Sequence, residues 1–185
     1  ICLGMALTAN AVLVMGADWK TEHKSFTLKG AYNVVAHVCN ALTYAHAKAI
    51  HGALHPGNIL VNRSGRIKVT DLGMAKALAA QGNVSNLLAQ NAFFYLSPEV
   101  MADPEAADER ADVYSLGILL NELLTGKAPS DTMDKPSEIQ TDLPEELDQL
   151  IARCLSPTPA ERFSQVDELK QAMLNVIELV AKTRV

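Results

Sequence analysis

The reading of this 185-residue chain turns on His51-Gly52-Ala53-Leu54-His55-Pro56-Gly57-Asn58-Ile59-Leu60-Val61. Pro56-Gly57 punctuates it, and the β-rich run from Asn58 to Val61 predicts a short strand. A second strand is predicted over Arg66 to Thr70, joined to the first by the turn sequence Asn62-Arg63-Ser64-Gly65. Asp71-Leu72-Gly73 follows directly. Upstream, Val34, Val38, Ala41, Leu42 and Ala45 recur at three- and four-residue spacing, so Leu28 to Ile50 is predicted mostly helical.

Moving outward, Ile1 to Ala6 and Ala11 to Met15 read as a hairpin turning at Asn10, broken by Gly16-Ala17-Asp18. Asp71 to Glu99 reads mostly as loop, with Gln81-Gly82-Asn83 at its centre. Ala111 to Thr125 is apolar nearly all round, which predicts a buried central helix stopped by Gly126 and Pro129. Ala128 to Thr141 reads as loop. A helix is predicted from Pro144, with Asp142 as its cap and Glu145 and Glu146 in its first turn. The last helix opens near Ser164-Gln165-Val166-Asp167, close to a capping box, with the stripe Val166, Leu169, Met173, Val176 and Val180. The sum is a mainly α domain with two small two-stranded elements.

Composition sets further bounds. The chain is 49% apolar and 20% charged, enough to bury one sizeable core. A net charge of −5 leaves no basic footprint for nucleic acid. Cys2, Cys39 and Cys154 are odd in number and sit in apolar runs, which favours reduced core thiols over a disulfide framework. The opening apolar run is interrupted and lacks a basic flank, so neither a signal peptide nor a membrane span is expected. The absence of an initiator Met points to an excised or processed piece.

Five ordered motifs give these elements a family. His51 to Asn58 resembles the catalytic loop of eukaryotic-type protein kinases, His-Arg-Asp-Leu-Lys-Pro-x-Asn. Asp71-Leu72-Gly73 resembles the metal-binding Asp-Phe-Gly, and 18 positions separate Ala53 from Asp71, as the family requires. Tyr95-Leu96-Ser97-Pro98-Glu99 resembles the end of the activation segment. Asp112-Val113-Tyr114-Ser115-Leu116-Gly117 resembles the start of the central helix, and Pro159-Ala160-Glu161-Arg162-Phe163 the late Arg-bearing motif. The resemblance implies a kinase C-terminal lobe: a helical bundle around a buried central helix, a β-hairpin at the catalytic loop, and a residual N-lobe hairpin. Residues 1–17 become the last N-lobe hairpin and the hinge, and residues 18–185 the C-lobe.

The resemblance also assigns roles. Asn58 and Asp71 would hold Mg²⁺, because a hard cation takes carboxylate and carbonyl oxygen. Leu60 would form the floor under adenine, with Met15 at the back of the pocket and Ala17 in the hinge; Met15 and Leu60 read equally well as ordinary core. Asp112 would cap the loop backbone, Glu99 and Arg162 would pair, and His51 and Leu72 would pack beneath the site.

The departures concern chemistry. Ala53 replaces the Asp that takes the substrate proton, His55 replaces the Lys that meets the transferred phosphate, and Gly52 replaces the Arg that receives an activation-loop phosphate. Asn91-Ala92 replace the usual Gly-Thr, and only Ser85 offers a hydroxyl between Asp71 and Tyr95. His51, Ala53 and His55 thus form a degenerate catalytic loop with no catalytic residue. No Gly-x-Gly-x-x-Gly is present. The expectation is a bacterial-style pseudokinase lobe in the cytoplasm, acting as a signalling or binding module for a protein partner. Mg-ATP is its implied ligand when an upstream lobe completes the cleft. One rival is a weak Ser/Thr kinase in which His55 substitutes for the missing base. The other is a scaffold with no ligand.

Overall fold

The computed structural model describes residues 25–62, 65–73, 76–77 and 93–183, together with the backbone of 12–14. Strand β1 is Val12–Val14, helix α1 Leu28–His46, strand β2 Ile59–Asn62 and strand β3 Ile67–Val69. Five helices follow: α2 Pro98–Ala102, α3 Arg110–Thr125, α4 Pro136–Ile139, α5 Glu145–Cys154 and α6 Val166–Thr183.

Helix α3 is the pillar that its composition predicts. Every residue in it except Arg110 and Tyr114 is buried, and α1, α4, α5 and α6 all pack on it. Gly126 ends it at φ 70°, with its N–H donating to the Glu122 carbonyl. This is the left-handed stop that glycine adopts at least cost. At Gly117 the pillar touches α5, where a Cβ would stand 2.6 Å from the Cys154 Cβ. Cys39 and Cys154 are buried free thiols, and burial pushes the Cys39 thiol up to about 12.

Helix α1 starts at Thr27, whose Oγ1 accepts from the Gly30 N–H at 3.1 Å. It ends at His46, short of the predicted Ile50, because the Lys48 and Ala49 amides both close onto the Ala45 carbonyl. Its face of Val34, Val35, Val38, Cys39 and Leu42 packs on α6 and α3. A polar clasp holds α1 to α6: Thr43 Oγ1 donates to Asp167, and Lys170 donates to Asn40, each at 2.9 Å.

The sheet has the order β1-β2-β3, antiparallel throughout, with Leu13 opposite Val61 and Val61 opposite Ile67. The second arm of the expected first hairpin therefore pairs with β2, making one three-stranded sheet. A strand edge presents unpaired N–H and C=O groups, and β1 covers that of β2. The first arm of that hairpin, along with Met15 and Ala17, lies outside the described residues.

Three local expectations are corrected. The stretch read as loop from Ala128 to Thr141 contains α4, because Pro136 occupies its first turn, where a missing N–H costs nothing. The N-cap of α5 is Pro144, with no side-chain cap, so Asp142 lies two residues too early for that role. The reciprocal capping bond of α6 comes from Glu168, which accepts from both the amide and the hydroxyl of Ser164. Asp167 pairs with Lys170 instead.

Candidate active site

The loop between α1 and β2 is shaped by one carboxylate. Asp112, fully buried near the start of α3, accepts the His51 N–H at 2.8 Å and the Gly52 N–H at 2.7 Å. Gly52 has φ 74°, a left-handed conformation that strains any residue with a Cβ. His46 Nε2 reaches the same carboxylate at 2.7 Å, and its Nδ1 lies 3.2 Å from Glu109. Burial opposes charge on His46, but the hydrogen bond and charge of Asp112, with Glu109 in support, outweigh it and raise its pKa.

His51 is buried and carries the support onward. Its Nε2 donates to the Thr70 carbonyl at 2.9 Å, at the end of β3. Burial lowers its pKa, keeping the imidazole neutral. The Pro56–Asn58 turn then delivers Asn58, whose Nδ2 donates to Asp71 Oδ2 at 2.9 Å. Asp71 has φ 60°, a left-handed position that aspartate tolerates better than most residues. Asn58 Oδ1 is buried without a hydrogen-bond partner. An orphaned amide oxygen beside a carboxylate is a donor set suited to a hard divalent cation, so these residues fit Mg²⁺.

At the position of the proton acceptor, Ala53 is 5% exposed and clusters with Leu96, Val100, Ala107 and Ala111. His55 caps the turn, its Nδ1 accepting from Gly57 N at 3.1 Å, and its ring lies 6.4 Å from that of Tyr95. Burial, then the neighbouring His51, lower its pKa against the pull of Asp71, so it presents a neutral ring where the family has an ammonium. Leu60 lies on β2, partly buried. Leu72 is 46% exposed and does not pack beneath the site, because the left-handed turn at Asp71 carries the chain away from the core. Asn91 and Ala92 lie outside the described residues.

The end of the activation segment is tied down as expected. Arg162, 2% exposed, donates through both terminal nitrogens to Glu99, at 2.6 and 2.9 Å. Its Nε and Nη1 also reach the Ser156 and Arg110 carbonyls. Sequence reasoning missed a second tie, in which the Tyr95 hydroxyl donates to Glu122 on α3 and Ser115 Oγ donates to the Tyr95 carbonyl. It also missed Thr70 and His46, which stand at element ends where no periodic pattern marks them.

The profile of the protein kinase domain family matches residues 9–175. This chain belongs to that family. It is 33% identical over 165 residues to the serine/threonine-protein kinase PknB of Mycolicibacterium smegmatis, covering 80% of this chain and 26% of that protein. It is 35% identical over 158 residues to a probable serine/threonine-protein kinase of Clostridium acetobutylicum, covering 75% of this chain and 23% of that protein. A crystal structure of the Mycobacterium tuberculosis PknI kinase domain superposes with a TM-score of 0.65 at 27% identity, covering 83% of this chain and 57% of that one. The chain thus spans about a quarter of these curated relatives and just over half of the solved kinase domain. These relatives are bacterial, in keeping with the style of the sequence. No described helix is long and apolar enough to cross a membrane.

Proposed function

We propose that this chain is the C-terminal part of a Ser/Thr protein kinase-like domain that no longer transfers phosphate and serves as a regulatory or binding module for a protein partner. Residues 1–17 are its last N-lobe hairpin and hinge, and residues 18–185 its C-lobe. The observation that carries this reading is Ala53: a methyl group packed among Leu96, Val100, Ala107 and Ala111 where the family places its proton acceptor. It has no lone pair to orient a hydroxyl. General-base assistance contributes about 10²–10⁴-fold, and that term is lost. The rival in which His55 takes over is weakened because its Nδ1 is occupied by the Gly57 amide.

The Asn58–Asp71 corner is retained for Mg-nucleotide, with Leu60 beneath the base, Met15 at the back of the pocket and Ala17 in the hinge. A bound Mg²⁺ would neutralise phosphate charge; Asn58 Oδ1 and the Asp71 carboxylate are the groups that would hold it. Cytoplasmic residence is part of the same proposal, and the free thiols Cys39 and Cys154 suit a reducing compartment.

The test uses the full-length protein. Transfer of labelled phosphate from ATP should not exceed that of the Asp71→Ala variant, whereas clear turnover lost in that variant overturns the inactive reading. Mg-ATP at about 100 times its Kd should stabilise the protein by about 2.7 kcal/mol. The absence of any thermal shift removes the nucleotide ligand and leaves the bare scaffold.

A further inference from the structure

We propose that Thr70 is a positioning residue that presets the Asp71 carboxylate for a divalent cation, an inference that rests on the metal-corner reading above. Thr70 directly follows β3, the second strand of the hairpin, and each of its polar groups is engaged. Its amide donates to the Asn58 carbonyl at 2.9 Å, and its carbonyl accepts from His51 Nε2 at 2.9 Å. Those two bonds fix its backbone from both sides. Its hydroxyl donates to Asp71 Oδ2 at 3.1 Å. The other acceptor in reach, the Asn58 carbonyl, is farther at 3.4 Å and already takes the Thr70 amide.

The division of the carboxylate is the informative part. Asn58 Nδ2 and Thr70 Oγ1 converge on the same atom, Oδ2. Among the described residues nothing donates to Asp71 Oδ1, and Asn58 Oδ1 is likewise without a partner. One oxygen is pinned by two donors, while one oxygen on each residue stays open. Two donors on one oxygen fix the rotamer, so a cation meets a carboxylate already turned to receive it. Asn58 is both a candidate ligand and a donor, whereas Thr70 acts only through Asp71. Its hydroxyl can therefore be removed without deleting a ligand.

The probe is Mn²⁺ alone, which accepts carboxylate and carbonyl oxygen and is counted by the electron paramagnetic resonance signal of the free ion. Hydrogen-bond partners of metal ligands typically change affinity by about 10- to 100-fold. Thr70→Val should weaken Mn²⁺ binding by about 10-fold, the lower end of that range, because Asn58 still holds Oδ2. Thr70→Ser, which keeps the donor, should restore it, and Asp71→Ala should abolish it. The metal-free melting temperature of Thr70→Val should stay close to that of the parent, since its two backbone bonds remain. Parent-like Mn²⁺ affinity in Thr70→Val overturns this inference and leaves the metal corner standing. Equal losses in the Val and Ser variants also overturn it, because the hydroxyl is then irrelevant. A parent protein that takes up no Mn²⁺ overturns the metal corner and this inference together.

Discussion

Replacing Glu99 with Ala should destabilise the domain by about 3 kcal/mol, because it strands a buried guanidinium. Arg162 is 2% exposed and makes four hydrogen bonds, two of them to Glu99. The Ser156 and Arg110 carbonyls and the face of Tyr114, 5.0 Å away, remain in the variant, but none carries a full negative charge. Breaking a buried pair from one side costs about 3–5 kcal/mol. The Glu99 side chain is 22% exposed, so water reaches the vacated space and the lower end applies. Urea unfolding at neutral pH, with Glu99→Ala, Arg162→Met and the double variant, yields the loss and the coupling between the two residues. Acid supplies a second readout. Burial acts to raise the Glu99 pKa, but the hydrogen bonds from Arg162 prevail and the net shift is downward. A lowered folded pKa means that the stabilisation is complete above the ordinary glutamate value of about 4.3 and is lost as pH falls through the folded value. That acid-dependent loss should be absent in Glu99→Ala. A neutral-pH loss below about 1 kcal/mol, the ceiling for exposed pairs, would refute the argument.

Two further outcomes follow from the packing. His46 has a raised pKa, so its contribution to stability is complete below its ordinary value of about 6.5 and is lost as pH rises through the folded value; melting temperature against pH should show this decline in the parent and not in His46→Ala. Gly117→Ala should cost about 1–3 kcal/mol in urea unfolding, since its methyl would meet Cys154 Cβ at 2.6 Å on an adjoining helix.

The parts of the fold that could be read in the sequence are those written as patterns. The all-apolar run of α3, the Gly126 stop and the hairpin from Ile59 to Val69 each rest on local spacing or turn chemistry. The Glu99–Arg162 pair and the Asp112 cap were legible only through ordered motifs, since 63 and about 60 positions separate the partners and no periodicity links them. His46 and Tyr95 escape a sequence reading for the same reason, since each makes its decisive contact with a residue distant in sequence, whereas Thr70 bonds the adjacent Asp71 through a hydroxyl that no spacing pattern marks. The error over Ala128 to Thr141 has a different source. The stretch is polar and holds Pro129 and Pro136, which suits a loop, but Pro136 occupies a helix start. The resemblance places Leu72 beneath the site, but the left-handed φ of the preceding Asp71 sends it outward.

Asp112 has a consequence for how such a domain can change. The groups that hold the loop in shape (the Asp112 carboxylate, the His51 ring and the Thr70 carbonyl) are all separate from the side chains of Gly52, Ala53 and His55. Asp112 grips main-chain amides, which every residue but proline supplies. The Asp112 grip is therefore indifferent to side-chain identity at these three positions, while the left-handed φ at Gly52, the packing of Ala53 and the turn cap at His55 set demands of their own. Substitutions that respect those local demands leave the Asp112 grip, and with it the outline of the loop, in place. Within those demands the loop is a fixed template on which side chains can be exchanged one at a time.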